Sequence, residues 1–334
     1  MSWWLTALLW AGVPEAEVHS VQTQDKATIS LSHRPGEGPP VLVVHGISSN
    51  HRCWDLEGGP SLAAALHASG FDPWLLDLRG HGLAEFSADG QRQRRGGSVD
   101  DYGQYDVPAA VAFIQKKTGF DKVHYVGHSM GGMVMAVALH HEPELALDRL
   151  VVVGTPMDFS DPDRVTGPLM SLGRWSSALA GYLPAPLAAS VHGRFRTPLP
   201  VDEWLFVDIQ SPVREQLYEQ IVSPLYAREL RQLEAVGREG MFVSADGKDN
   251  YLVGLRGIQQ PTLVVAGRGD RIAPPDRVAG FFTEISSEEK RFVIAGRATG
   301  FSVDYGHLDL PLGAHAEQEI FPLIVDWLRG EASE

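Results

Sequence analysis

The sequence predicts an α/β protein in which a mostly parallel central sheet is flanked by helices and carries a helical cap insertion. In the first half of the chain, short apolar runs rich in β-branched residues alternate with helical patterns, as is typical of parallel strands covered on both faces. This alternation stops after Thr155 and resumes only near residue 261. We therefore expect a first part of the core at 1–155, a helical cap or lid at 156–245, and the second part of the core at 246–334.

The elements of the core follow from the periodicity of the apolar residues. Residues 18–32 alternate on either side of a polar stretch, Gln24-Asp25-Lys26, which predicts an antiparallel hairpin. Unbroken apolar runs predict buried strands, and apolar residues three or four positions apart predict helices. Strands are expected at 41–44, 71–76, 123–126, 150–153, 262–266 and 291–294, and core helices at 62–68, 107–114, 132–139 and 314–328.

The cap segment is rich in Pro, Gly, Arg and aromatic residues, and it predicts only short helices, at 184–191, 213–218 and 226–233, with no strand. An insertion at the carboxyl edge of the sheet would cover the region where open α/β folds bind ligands. The alternative is a separate domain with its own core. Trp175, Trp204 and Phe206 are candidate substrate contacts, although such side chains serve equally well in the internal packing of a cap.

Composition excludes several classes of partner. The 334 residues include 42 acidic and 28 basic side chains, and the net charge of −14 argues against nucleic acid or an anionic membrane as the main partner. The single cysteine, Cys53, excludes an intrachain disulfide and favours a cytoplasmic location. The apolar residues 1–12 are too few to span a bilayer and lack the basic segment of a signal peptide. We expect them to form an amphipathic helix that packs on the body or over the entrance to the site. Secretion, peripheral membrane attachment and a partner-binding helix are the alternatives.

The candidate nucleophile is Ser129, in the Gly-His-Ser-Met-Gly sequence at 127–131. A strand is predicted before this sequence and a helix after it, which is the setting of a nucleophile elbow. The flanking glycines allow a bend tight enough to expose the serine hydroxyl. The start of the helix would direct free N–H groups at an oxyanion formed nearby.

A serine hydroxyl needs a base, and the base needs an acid to orient it. At such an elbow the acid and then the histidine follow the serine along the chain. His307 lies on a loop between the last predicted strand and the final helix, and Asp270 follows the strand at 262–266. Asp158, after the strand at 150–153, is a competing candidate for the acid. The two oxyanion donors are expected to be the backbone N–H groups of Met130 and Ile47, the latter on the loop after the strand at 41–44.

Taken in order, several motifs resemble those of the α/β-hydrolase superfamily over nearly the whole chain outside the cap. They are His45-Gly46, Asp77-Leu78-Arg79-Gly80-His81-Gly82, the elbow at 127–131, Gly269-Asp270 and Gly306-His307. Segments 50–56, 61–63, 105–109 and 306–309 more narrowly resemble polyhydroxyalkanoate synthases and acid lipases. The synthases have cysteine at the elbow, and epoxide hydrolases and haloalkane dehalogenases have aspartate there. The serine at position 129 therefore argues against those three chemistries.

The resemblance implies a serine hydrolase, and we expect it to cleave a small-molecule acyl ester through an acyl-enzyme intermediate. This chemistry requires no metal and no organic cofactor. The same residues would also serve a lipase, a thioesterase, a lactonase, or an amide or C–C bond hydrolase. A receptor that retains the fold and binds its ligand without turnover is the non-enzymatic alternative.

Overall fold

The computed structural model describes residues 14–85, 96–160, 182–183, 185–195 and 201–331. Ten strands lie within these residues. They are β1 (Glu17–Gln22), β2 (Thr28–His33), β3 (Pro40–Val44), β4 (Asp72–Asp77), β5 (Val123–His128), β6 (Leu147–Val153), β7 (Tyr182–Leu183), β8 (Leu225–Tyr226), β9 (Thr262–Gly267) and β10 (Lys290–Ala295).

Eight of the strands form one central sheet in the order β1-β2-β4-β3-β5-β6-β9-β10. β1 pairs with β2, and β2 with β4, in antiparallel fashion, which confirms the predicted hairpin. All the other neighbours in this sheet are parallel. The predicted α/β class with a mostly parallel sheet is confirmed.

Helices cover both faces of the sheet. Those of the core are α1 (Leu62–Ala68), α2 (Val107–Thr118), α3 (Met130–His141), α8 (Tyr251–Gly254), α9 (Pro275–Glu284), α10 (Asp309–Leu312) and α11 (Ala316–Leu328), and those of the predicted cap are α4 (Ala185–Phe195), α5 (Val201–Leu205), α6 (Ser211–Gln216) and α7 (Ala227–Glu239). Consecutive residues of β3 alternate between two apolar clusters, one on each face, because strand side chains point to opposite sides. Leu42 belongs to one cluster and Val43 to the other, and both are buried.

The helix expected at 107–114 extends further toward the N-terminus. A π-helical segment, Tyr102–Asp106, runs directly into α2 and is itself preceded by a helical turn at Val99–Asp101. A Cβ atom on Gly103 would lie 2.4 Å from Cβ of Val137 in α3, so the glycine permits a close approach of the two helices. The carboxylate of Asp106, at the end of this segment, is fully buried and binds Arg79.

The described part of the cap segment contains the three predicted helices as α4, α6 and α7, with α6 continuing into a π-helical segment, Leu217–Ile221. The expectation of no strand there is wrong. The two-residue strands β7 and β8 pair with each other in antiparallel fashion. Pairs this short carry no hydrophobic alternation, so the sequence gives no sign of them. Residues 1–12 and Trp175 lie outside the described residues, and none of the described helices has the length and apolar character needed to cross a membrane.

Candidate active site

Ser129 occupies the turn between β5 and α3 with strained backbone angles, φ 53° and ψ −118°. The glycines of the motif make this turn possible. A Cβ atom on Gly127 would lie 2.7 Å from the carbonyl carbon of Gly131, and one on Gly131 would lie 2.5 Å from the carbonyl oxygen of Val44. The N–H of Ser129 donates to the carbonyl of Val153 on the neighbouring β6 at 2.8 Å. The local sequence therefore forms the sharp elbow that a nucleophilic serine requires.

The side chain of His307 lies between Ser129 and Asp270. Its Nε2 is 2.9 Å from Oγ of Ser129, and its Nδ1 is 2.7 Å from Oδ2 of Asp270. The other carboxylate oxygen of Asp270 accepts from the backbone N–H groups of Ile272 and Ala273, each at 2.8 Å. Because an ionised carboxylate only accepts hydrogen bonds, His307 carries its proton on Nδ1, and the lone pair of Nε2 faces the serine hydroxyl. The structure thus brings the three predicted residues together in the order required for proton transfer.

Asp158, the competing acid, lies elsewhere. Its side chain is exposed, and its carboxylate accepts from the N–H of Ser160 at 2.9 Å. This hydrogen bond lowers the pKa of Asp158. The acid that contacts His307 is Asp270.

His128, directly before the nucleophile, supports the loop of His307. Full burial holds the pKa of His128 well below its ordinary value, so its ring is neutral. Its Nε2–H donates to the carbonyl of His307 at 3.1 Å, and the two ring centroids are 4.7 Å apart. The sequence indicated only a packing role for His128, because nothing in the motif points to a partner 179 residues away.

The loop that carries Ile47 lies against the elbow. A Cβ atom on Gly46 would be 3.1 Å from Cβ of Ser129. The loop is tied to the segment after α6 by Ser48, whose hydroxyl donates to the carbonyl of Ser223 at 2.7 Å, and by Asn50, whose amide donates to the carbonyl of Ile221 at 2.8 Å. Sequence reasoning missed these two tethers because both partners lie in the cap segment.

Met130, the other expected donor, is the first residue of α3. The first N–H groups of a helix have no partner within that helix. The loop with Ile47 and the start of α3 therefore meet at Ser129, which is the arrangement that the two expected oxyanion donors need.

A cavity of about 670 Å³ opens at Ser129 and His307. Its other lining residues are mostly apolar, and most of them come from the loop after β3 and from the cap segment; they include Ile47, Ala188, Val201, Leu205, Leu217, Ile221, Val222 and Leu225. Trp204 and Phe206 are not among them, and their contact with substrate stays a prediction. Val201 and Leu205 are four residues apart and share the face of α5 that lines the cavity, whereas Phe206 is buried in a core cluster.

The Asp77-Leu78-Arg79 motif stabilises the surrounding turns. Asp77 accepts hydrogen bonds from the backbone N–H and the ring Nδ1–H of His51 and from the N–H of Leu83. Burial disfavours a charge on His51, but the Asp77 carboxylate outweighs that effect and raises the pKa of the ring. Arg79 pairs with Asp106 and Asp25 instead of with Asp77. The motif therefore holds the loops beside the cavity and does not touch the reacting atoms.

The sheet has this strand order, and a strained serine between strand and helix contacts a histidine that contacts an acid. This combination is typical of α/β hydrolases. Residues 39–301 match the family model described as the alpha/beta hydrolase fold, and the chain belongs to this family. The sequence-based resemblance to this superfamily is confirmed.

Curated relatives agree with the narrower resemblance to acid lipases. The lysosomal acid lipase/cholesteryl ester hydrolase of Macaca fascicularis is 31% identical over 179 residues, which cover 49% of this chain and 44% of the relative. The gastric triacylglycerol lipase of Homo sapiens is 33% identical over 150 residues, which cover 40% of this chain and 37% of the relative. The chain thus spans less than half the length of these relatives.

Solved structures support the fold alone. An esterase from Exiguobacterium antarcticum superimposes with a TM-score of 0.63 at 17% identity, covering 93% of this chain and 98% of the esterase. A thermophilic esterase from Thermogutta terrifontis gives a TM-score of 0.63 at 21% identity and covers 95% of this chain and 100% of the esterase.

Proposed function

We propose that this protein is a serine hydrolase that cleaves carboxylic esters with apolar acyl chains. The observation that carries the proposal is the pair of contacts of His307, which lies 2.9 Å from Oγ of Ser129 and 2.7 Å from Oδ2 of Asp270 and lines a largely apolar cavity. A hydroxyl, a neutral imidazole and a buried carboxylate in this order are the elements of nucleophilic catalysis. The relatives named as lipases and cholesteryl ester hydrolases support an ester as the substrate.

The reaction would begin with attack of Oγ of Ser129 on the acyl carbonyl carbon. Nε2 of His307 accepts the hydroxyl proton, and Asp270 stabilises the imidazolium that results. The backbone N–H groups of Ile47 and Met130 donate to the oxyanion of the tetrahedral intermediate, where one such donor typically contributes about 10²- to 10³-fold to kcat. His307 then returns the proton to the departing alcohol, and an acyl-serine ester remains.

Deacylation repeats these steps with water as the nucleophile. His307 removes a proton from the water, the oxyanion forms again at the same two donors, and the acid is released with Ser129 restored. Thr155 supports the elbow throughout, because its hydroxyl donates to the carbonyl of Ser129 at 2.8 Å. None of these steps requires a metal or an organic cofactor. The cytoplasmic location of the protein stays a prediction from the single cysteine.

The apolar cavity favours acyl chains over small polar acids. Each methylene removed from water contributes about 0.8 kcal/mol, so kcat/KM is expected to rise with acyl length until the cavity is filled. The test is a panel of p-nitrophenyl esters of increasing acyl length, measured beside matched thioesters, lactones and amides. Turnover of another acyl compound with none of the esters would refute the ester proposal.

Labelling with a fluorophosphonate probe separates an enzyme from a receptor that only binds its ligand. The wild-type protein is expected to label, and Ser129→Ala is expected to lose both labelling and ester hydrolysis. A suitable control is Ser190→Ala, because Ser190 is an exposed residue of α4 that does not line the cavity. Absence of labelling in the folded wild-type protein would favour the receptor.

A further inference from the structure

Three potential metal ligands share one face of the hairpin formed by β1 and β2. Glu17 pairs directly with His33 across the two strands, and His19 lies two residues further along β1. Because alternate residues of a strand point to the same face, the three side chains project together. One ligand atom from each lies within 4.8 Å of the other two.

His33 is oriented as a metal ligand would be. Its Nε2–H donates to Oδ1 of Asp72 at 2.6 Å, while the other oxygen of Asp72 accepts from the indole N–H of Trp74. The proton of His33 is therefore on Nε2, and Nδ1 carries the lone pair. His33 is only 9% exposed, and its Nδ1 is buried without a hydrogen-bond partner in the described part of the chain. A carboxylate that fixes the remote nitrogen of a histidine is the usual outer partner of a histidine–metal bond.

His19 contributes a second unsatisfied ring nitrogen to this cluster. Its Nε2 is buried without a hydrogen-bond partner among the described residues, and it lies 3.5 Å from a carboxylate oxygen of Glu17. The Glu17 side chain is 60% exposed and free to turn toward both rings.

We propose that Glu17, His19 and His33 form a binding site for a divalent transition-metal ion of the zinc type. Two imidazoles and one carboxylate are a ligand set that Zn²⁺ accepts, with water completing the tetrahedron. The ligands line a surface cavity of about 290 Å³ together with Asp72, Glu37 and Lys117, so carboxylates outnumber the single lysine there.

The ion would cross-link β1 and β2. β1 is at the edge of the sheet, separated from β5 by β2, β4 and β3, and strand spacing alone puts the ion roughly 19 Å from the strand that carries the elbow. We therefore expect the metal to stabilise the hairpin and to leave the reaction at Ser129 unchanged.

The test is a Zn²⁺ titration of the tag-free full chain by calorimetry, together with the visible absorption of Co²⁺, which reports tetrahedral coordination. We expect saturable one-to-one binding that raises the melting temperature. Glu17→Gln and His19→Ala should each weaken binding at least tenfold and remove the thermal shift. The matched control is His315→Ala, because His315 forms another histidine–carboxylate pair, with Asp208 at 3.5 Å, and should bind as the wild type does.

Melting temperatures without metal show whether the variants are folded. Should His19→Ala fail to fold, Glu17→Gln carries the test, since it replaces a mostly exposed carboxylate with an amide of the same shape. Absence of saturable binding to the wild type would overturn the proposal. Binding of the same strength in wild type and Glu17→Gln, meaning an adventitious ion only, would overturn it as well.

Discussion

Replacement of Asp270 by asparagine tests the proposed catalytic group most directly. The asparagine carbonyl oxygen would still accept from the N–H groups of Ile272 and Ala273, so the loop is expected to keep its conformation. The amide nitrogen would take the position of the oxygen that now lies 2.7 Å from Nδ1 of His307. Because an amide N–H donates, it favours the tautomer in which Nδ1 accepts and Nε2 carries the proton. A protonated Nε2 cannot take the proton of Ser129.

The size of the effect separates two roles for this carboxylate. A hydrogen bond to a charged group that only tethered the ring would contribute about 1.5–3 kcal/mol, or about 10- to 150-fold in rate. Loss of the catalytic tautomer costs about 10⁴-fold in kcat, or about 5.5 kcal/mol. We expect Asp270→Asn to show the larger loss.

The assay is kcat for the best p-nitrophenyl ester, with the melting temperature of each variant measured alongside. The control is Asp158→Asn, which changes the exposed competing acid and should leave kcat within about twofold, as expected for a surface site away from the reaction. A loss smaller than about 150-fold in folded Asp270→Asn, within the range of a simple tether, would refute the tautomer argument. A greater loss of kcat in Asp158→Asn than in Asp270→Asn would identify Asp158 as the acid.

Three further predictions concern burial and space. Burial raises the pKa of Glu229 to about 8 from an ordinary 4.5, so the folded state keeps a proton that the unfolded chain loses. As the pH rises from about 4.5 to about 8, the free energy of unfolding should therefore fall by up to about 1.4 kcal/mol per pH unit. Glu229→Gln should remove this slope, as measured by urea unfolding at several pH values. Ala188→Trp, which removes room for about three methylenes from the cavity, should lower kcat/KM for long acyl esters by roughly 50-fold and leave short ones unaffected. Ser190→Trp on the same helix should leave kcat/KM unchanged for esters of every length. Gly127→Ala should lower both the melting temperature and kcat, because its Cβ would meet backbone atoms at 2.7–2.8 Å, while Gly257→Ala meets nothing within 4 Å and should do neither.

Each of these predictions has a contrary outcome. Parallel pH profiles for wild type and Glu229→Gln would mean that the carboxyl ionises normally in the folded state. A uniform loss over all acyl lengths in Ala188→Trp would indicate that this part of the cavity does not hold the acyl chain. If Gly127→Ala melted at the same temperature as the wild type, the turn at Ser129 would be able to widen around a Cβ atom without destabilising the fold.

The central sheet and the elbow at Ser129 could be predicted because both depend on local patterns. Buried parallel strands require unbroken apolar runs, and the elbow requires glycines at fixed positions. Loops at the carboxyl ends of neighbouring parallel strands meet at one edge, so Asp270 and His307 could be expected near Ser129 from chain order alone. The backbone donors of Ile47 and Met130 follow from the same reasoning and stay predictions.

The cap was less predictable because its helices are short. In α5 the lining residues are Val201 and Leu205, and nothing in a five-residue helix distinguishes their face from that of Trp204. The π-helical segment before α2 depends on the fit of Gly103 against Val137, which is a contact across the fold. The tethers of Ser48 and Asn50 depend on partners more than 160 residues away.

If Ile47 is the oxyanion donor that we propose, those tethers would link substrate entry to the reaction. The peptide around Ile221 and Ser223 closes one side of the cavity and also holds the loop that carries Ile47. A cap movement wide enough to break both hydrogen bonds would release that loop together with its N–H group. With the cap open, the serine would be accessible but would lack the proposed oxyanion donor. Closure over a substrate would restore the cavity wall and that N–H group in a single event.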